Sequence, residues 1–318
     1  MMVANRTITD KIDAITGILA GQRSPMPPCP KSVKIELTAR CNFRCSYCAR
    51  GMRLRDQKDM DSALFESLLP KFRAAGVEEI GLFYLGESFL LPWLPEAIAY
   101  ARAVGFPYVF LTTNGSLARP DAVEACMKAG LNSLKFSLNY ADETQFAEIA
   151  GVKSKIFADV LENLRLAKQI RDRGGYDCGV FASYIQYDGD QGRRMQSVVD
   201  MVHPWVDEIY ALPLYSQADL VGKSETEKGW SVRAGNPGRL GNMREPIPCW
   251  ALFTEARVTH DGHLSACCFD HDGRFHMGDL KRMDFMTAWH SPSFQELRKA
   301  HLADDVRGTV CENCVAYG

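Results

Sequence analysis

The chain has 318 residues, a formal net charge of −2, and 46% apolar against 24% charged residues. That balance suits a globular protein with a large core, and it gives no electrostatic case for a nucleic-acid or membrane-surface partner. No window approaches the roughly 18 uninterrupted apolar residues of a membrane span. The opening stretch MMVANRTITDKIDAITGILAGQRS has neither the apolar core nor the cleavage site of a signal peptide, so a cytoplasmic location is expected. In that compartment eleven cysteines point to metal binding or catalysis rather than disulfides.

In chain order, residues 8–21 read as a short helix, followed by the loop SPMPPCPKS. Strands and helices then alternate. Strand patterns occupy 33–37, 79–85, 108–113, 133–139, 178–186 and 208–215. Helical patterns fall between them at 61–76, 92–105, 119–130, 154–175 and 193–206, four of them closing on glycine or a glycine pair. Units of about 30 residues repeated this way predict crossover connections and a parallel sheet. The fold class is therefore α/β: a partial (β/α)6 TIM-like barrel over 31–216, with chemistry at the carboxyl ends of its strands. Residues 1–30 form a helix and linker, and the Gly/Ser/Asn-rich stretch 217–245 reads as a loop. Residues 246–318 form a separate C-terminal region carrying five cysteines. Within it THDGHLSACC reads as a β-hairpin turning at Asp261-Gly262.

The segment CNFRCSYC puts Cys41, Cys45 and Cys48 on one loop directly after the first strand. Soft thiolates on a tight loop select iron–sulfur clusters, zinc or copper(I). Structural zinc takes four closed ligands and favours Cys-x2-Cys pairs, so a zinc site here would borrow a remote ligand. Three thiolates on a four-iron cubane leave one iron open to a small molecule.

The stretch TARCNFRCSYC resembles the Cys-x3-Cys-x-aromatic-Cys signature of radical S-adenosylmethionine enzymes. The resemblance implies that Cys41, Cys45 and Cys48 hold a [4Fe–4S] cluster whose fourth iron chelates S-adenosylmethionine, and that reductive cleavage yields a 5′-deoxyadenosyl radical. It places Tyr47 near the adenine. YLGES resembles the family's Gly-Gly-Glu segment, with Leu85 in the first glycine position. Gly86, Glu87 and Ser88 are thus expected at the amino group of the cofactor. LTTNGS and SLN match the ends of the third and fourth strands and imply Asn114, Ser137 and Asn139 as further cofactor contacts. The core resemblance spans about 30–215.

Cys249 and Cys267, with Gly262 between them, and the pair Cys311 and Cys314 resemble the family's twitch region, a shortened SPASM domain. The resemblance implies one fully thiolate-ligated auxiliary [4Fe–4S] cluster, two clusters in all. Read without it, the same spacing suits a four-cysteine zinc ribbon. Cys126 and Cys178 read as small buried residues, while Cys268, beside a ligand position, could give a hydrogen atom to a substrate radical. GKS at 222–224 lacks the upstream glycine of a phosphate loop, since that position is Gln217.

What the resemblance implies for activity is hydrogen-atom abstraction from a small polar metabolite, sugar- or aminocyclitol-like, leading to oxidation or epimerisation. Lys135, Lys153, Tyr184 and Tyr215, at or just past strand ends, are candidate bases, Lys135 and Tyr184 foremost. The alternative is epimerisation or crosslinking of a ribosomally made peptide, for which the roughly thirty residues before the first strand leave no room for the usual recognition domain. A flavodoxin- or ferredoxin-type protein is the expected electron donor. A non-enzymatic zinc or redox-binding protein is the reading from another class, separable by iron and sulfide content.

Overall fold

A computed structural model describes residues 7–52 and 54–314. Six parallel strands carry the barrel: β1 Ser32–Ile35, β2 Glu79–Gly81, β3 Tyr108–Thr113, β4 Ser133–Ser137, β5 Gly179–Ile185 and β6 Glu208–Leu212. The helices follow α1 Ile8–Thr16 in the order α2 Ser62–Ala75, α3 Leu94–Val104, α4 Pro120–Lys128, α5 Glu143–Ala150, α6 Ile156–Gly174 and α7 Gly189–Val202. This is the expected partial (β/α)6 barrel, with the strands shorter than the apolar runs suggested. The run at 79–85 is a strand only to Gly81, because Phe83 and Tyr84 already bend over the cavity. Helix α5 was not anticipated; it is eight residues long and is capped by Asp142, whose carboxylate accepts from Gln145 N at 3.0 Å.

The local reasons are ordinary. Asp61 caps α2 by accepting from Leu64 N at 3.0 Å. Phe65, Leu68, Leu69 and Phe72, spaced at helical intervals, are buried against the sheet. Gly76 ends the helix at φ +107°, a conformation open to glycine alone without strain. In β1 the alternation is two-sided: Val33 and Ile35 pack outward under the helices, while Lys34 turns toward the interior.

After β6 the chain breaks at Pro213. Two short strands follow, β7 Leu214–Tyr215 and β8 Val232–Arg233, which pair with each other around α8 Gly222–Glu227. The stretch read as a plain loop is thus partly ordered, with Ser216 and Glu225 buried. The C-terminal region then joins the barrel instead of standing apart from it. Strand β9, Glu255–Val258, pairs in parallel with β1, Ser32 opposite Glu255 through Ile35 opposite Val258. The predicted hairpin follows: Gly262 (φ +86°) turns the chain into β10 His263–Ser265, which is antiparallel to β9 and to β11 His276–Asp279. The sheet therefore has nine strands in the order β11-β10-β9-β1-β2-β3-β4-β5-β6. Helices α9 Phe285–Trp289 and α10 Pro292–Leu302 complete the chain. Helix α1 closes the amino-terminal end of the barrel: Thr9 donates to Glu208, and Asp13 forms a two-point ion pair with Arg239. Among the described residues no helix is long and apolar enough to cross a membrane.

Candidate active site

The cysteine loop leaves β1 and is held from three sides. Gly86 lies against it so closely that a Cβ there would stand 2.0 Å from Thr38 O and 2.6 Å from Arg40 O. Glu87 N donates to Arg40 O at 2.8 Å. The Glu87 carboxylate is buried and fully engaged, accepting from Thr113 Oγ1 at 2.9 Å, Asn114 N at 2.7 Å and Phe89 N at 3.1 Å. Burial pushes this carboxyl above its ordinary pKa. Glu87 thus ties the ends of β2 and β3 together, and its neighbour Ser88 is likewise turned inward, donating to Leu82 O at 2.6 Å.

Around the sulfurs the polar groups converge. Asn114 Nδ2 donates to Asn42 Oδ1 at 2.9 Å and lies 3.8 Å from Cys41 Sγ. The Tyr47 hydroxyl bonds to the Cys45 thiol and accepts from Asn139 Nδ2 at 2.5 Å. Asn139 Oδ1 in turn accepts from Ile185 N at 3.0 Å. Tyr47, Ser137 and Asn139 all line the barrel cavity. Burial, then the charge of Glu87, pushes the Cys41 thiol up to about 11. Burial followed by the charge of Cys48 raises Cys45, and burial raises Cys48. Three thiols raised by burial, two of them further by the charge of Cys48, are a donor set that a cationic centre would render thiolate. Ser46 Oγ, in the same loop, is buried with no hydrogen-bond partner. The residues present fit an iron–sulfur cluster.

The C-terminal cysteines meet as well. Cys249, Cys267, Cys311 and Cys314 line one small, largely apolar cavity of about 40 Å³ walled by Leu252 and Phe275. Burial and then the charge of Cys268 hold Cys267 far above its ordinary value, and burial with Cys314 pushes Cys311 up to about 12. Phe269 N donates to Cys267 Sγ at 3.3 Å. Cys268 lines both this cavity and the barrel cavity, and its sulfur accepts from Asn236 Nδ2 at 3.4 Å. Four thiols in an apolar wall, drawn from three stretches of chain, fit a closed cluster.

Between the two cysteine sets lies the barrel interior, a cavity of about 360 Å³. Lys135 lines it and donates to the Tyr210 hydroxyl at 3.0 Å. Tyr215 lines it too, its hydroxyl bonded to Gly238 O. Tyr184 does not: its neighbours Ser183 and Ile185 face the cavity, so strand alternation turns Tyr184 to the helix side. Lys153, between α5 and α6, is also absent from the lining. Both are corrections to the set of candidate bases. Sequence reasoning missed Lys34, Glu255, Arg257, Gln217 and Asn236, all on the cavity wall. A signal existed for the first three: charged residues alternate with buried apolar ones in VKI and EARV.

A barrel that presents three thiols at a strand end and four more in a closed wall defines an iron–sulfur enzyme architecture. Family models make this specific: residues 35–181 match the radical SAM superfamily, and residues 249–315 match SPASM, an iron–sulfur cluster-binding domain. The chain carries a radical SAM domain and a SPASM domain; its cofactors are [4Fe–4S] clusters and S-adenosylmethionine. It is 26% identical over 285 residues to the GTP 3′,8-cyclase of Xanthomonas axonopodis pv. citri (strain 306), covering 79% of this chain and 82% of that one. It is 35% identical over 134 residues to the PqqA peptide cyclase of Xanthomonas campestris pv. campestris (strain B100), covering 42% of this chain and 35% of the relative. The fold is similar to the crystal structure of BtrN in complex with AdoMet and 2-DOIA, with a TM-score of 0.58 and 17% identity over 90% of this chain and 92% of that one.

Proposed function

We propose that this radical SAM enzyme abstracts a hydrogen atom from a small polar metabolite held in the barrel cavity and then oxidises or epimerises it. The observation that carries this reading is the cavity itself. At about 360 Å³ it has the size of a small-molecule site, and its wall includes Tyr47 of the first cysteine loop and Cys268, which also lines the cavity of the C-terminal cysteines. In this reading the first three cysteines hold the cluster that binds S-adenosylmethionine, and the other four hold an auxiliary cluster. Tyr47, Ser137 and Asn139 contact the cofactor from the cavity wall, and Asn114 supports it through Cys41. Gly86 sets the height of the loop, while Glu87 and Ser88 act through the backbone they fix. When bound, S-adenosylmethionine supplies the hydrogen-abstracting group, and the protein supplies orientation and exclusion of water.

Cys268 decides the outcome. Its thiol lines the substrate cavity, and as a hydrogen-atom donor it would return hydrogen to the opposite face of the substrate radical, giving epimerisation; the thiyl left behind would be restored by one proton from solvent and one electron from a one-electron donor protein. Without that donation an auxiliary cluster is the acceptor for the second electron, giving oxidation. The test is turnover in deuterated water with Cys268→Ala alongside the native enzyme. Epimerisation through this thiol places solvent deuterium in the native product and none in the variant's. Product free of solvent deuterium in both overturns that role. The second reading, modification of a peptide, draws on the similarity to PqqA peptide cyclase. Sugar acids and sugar phosphates set against peptides, as stimulants of 5′-deoxyadenosine formation, separate the two. Stimulation by peptides alone overturns the small-metabolite reading.

A further inference from the structure

We propose that the substrate carries an anionic group, a carboxylate or a phosphate, anchored by Lys135 and the cationic wall formed with Lys34 and Arg257; this rests on the small-metabolite reading above. The charge inventory of the cavity is lopsided. Lys11, Lys34, Lys135 and Arg257 line it against two carboxylates, Glu79 and Glu255. Both carboxylates are already engaged. Glu255, fully buried, takes Lys34 Nζ at 2.8 Å, Arg257 Nη2 at 2.8 Å and Ser32 Oγ at 3.3 Å. Glu79 takes Lys11 at 3.6 Å and Lys31 at 3.4 Å. No acidic group of the lining is left for an ammonium-bearing substrate.

The cations are not used up in the same way. Among the described residues Lys135 forms no ion pair; its amine bonds to the Tyr210 hydroxyl and lies 5.5 Å from that ring's centroid. Arg257 is wholly buried, and its Nε has no hydrogen-bond partner although its other nitrogens have three. A buried guanidinium N–H without an acceptor costs stability unless a ligand or water completes it. The positions fit substrate rather than cofactor. Lys135 sits in register with Thr112 of β3 and Phe181 of β5, below Ser137 and Asn139 at the strand end. Lys34 and Arg257 are paired directly across the β1/β9 seam, one layer deeper. In a partly desolvated barrel one surplus lysine favours an anion by far more than it would at a surface. An aminocyclitol bearing free ammonium groups is a poor match for this wall.

The experiment is anion binding to the anaerobically reconstituted holoenzyme, measured by titration calorimetry with inorganic phosphate, succinate, glucose and glucosamine as separate probes. Phosphate or succinate should bind, and whichever is tighter names the anion class; glucose and glucosamine should not. Lys135→Gln should weaken anion binding at least about tenfold, Lys135→Arg should restore most of it, and Tyr210→Phe, which keeps the charge, should change it less than about threefold. Lys71→Met, an exposed control on α2, should leave it unchanged. Anion binding equally tight in Lys135→Gln and in the native protein would overturn the proposal, as would glucosamine binding where neither anion does. In paramagnetic, dithionite-reduced protein the ³¹P signal of bound phosphate should relax faster than in Lys135→Gln; equal relaxation places the anion elsewhere and overturns it. None of these readouts requires turnover, so they stand apart from the peptide-against-metabolite test.

Discussion

The two cysteine regions solve different problems with the same side chain. Cys41, Cys45 and Cys48 come from one eight-residue loop, which the segments just past β2 and β3 hold in place: Gly86 and Glu87 press on it from the one and Asn114 from the other. Cys249, Cys267, Cys311 and Cys314 come from three separated stretches and close around a space of about 40 Å³. The first arrangement leaves room for a ligand. The second leaves none and joins the hairpin to the chain's last described turn. On the function proposed above, chemistry and stapling are divided between the two cysteine regions.

Replacing Cys41, Cys45 and Cys48 together by alanine should give the largest effect. S-adenosylmethionine cleavage under dithionite should fall to background while about four irons remain per chain. The melting temperature should barely move, because only one loop loses its metal. Continued 5′-deoxyadenosine formation would break the division of labour at its first term. Gly86→Ala should come close behind it, since a Cβ 2.0 Å from a backbone oxygen cannot be relieved by a side-chain rotation. The loop must shift, and cleavage should drop at least about a hundredfold, the scale of a misplacement near 1 Å. An alanine variant with native cleavage would show that the β2 end does not set the loop.

Cys311→Ala should show the opposite balance. Losing a ligand that bridges distant stretches should cost about 5–10 °C in melting temperature, roughly 2–4 kcal/mol in a chain of this size, together with about four irons. A folded variant with native iron content would remove Cys311 from the cluster. The smallest effect belongs to the seam between the regions. The Glu36 carboxylate is wholly buried; burial opposes its ionisation, but the hydrogen bonds from His260 and the two-point pairing with Arg55, at 2.8 and 3.0 Å, outweigh it and hold its pKa low. A carboxyl lowered on folding adds stability above its unfolded pKa, near 4.5, and that stability is lost as pH falls through the folded value. Thermal stability should therefore hold from neutral pH down to about 5 and decline below it. Glu36→Gln should flatten the decline and cost about 1–2 kcal/mol at pH 7, because the amide leaves the half-buried Arg55 one acceptor in place of a charged two-point partner. An unchanged acid profile would assign the decline to other carboxylates.

The barrel was legible because its strands and helices obey separate periods, and the glycine stops at Gly76, Gly105 and Gly175 each take the positive φ their position asks for. The triplet of Cys41, Cys45 and Cys48 was legible because spacing within one loop is a local property, whereas the C-terminal cysteines read as one set only through their resemblance to the twitch region. What was not legible is what distant segments do to one another. Nothing local marks EARV as the neighbour of SVKI, so Lys34, Glu255 and Arg257 did not read as one group. Nor does local sequence say that the Gly/Ser/Asn-rich stretch brings Gln217 and Asn236 to the cavity wall. Tyr184 failed for a simpler reason: a strand-end position says little about which face a side chain takes, and one residue of register reverses it.

The pairing of β1 with β9 also governs how the molecule is made. Ser32 and Glu255 are 223 positions apart. At roughly 5–20 residues per second of synthesis, β1 waits about ten to forty seconds with one hydrogen-bonding edge uncovered. Its partner on that side arrives only after every helix of the barrel has been translated. In a nascent chain the cysteine loop that leaves β1 therefore lies beside a flank that stays unsealed until β9 is made. The closing of that flank and the gathering of the last four thiols belong to a single late event.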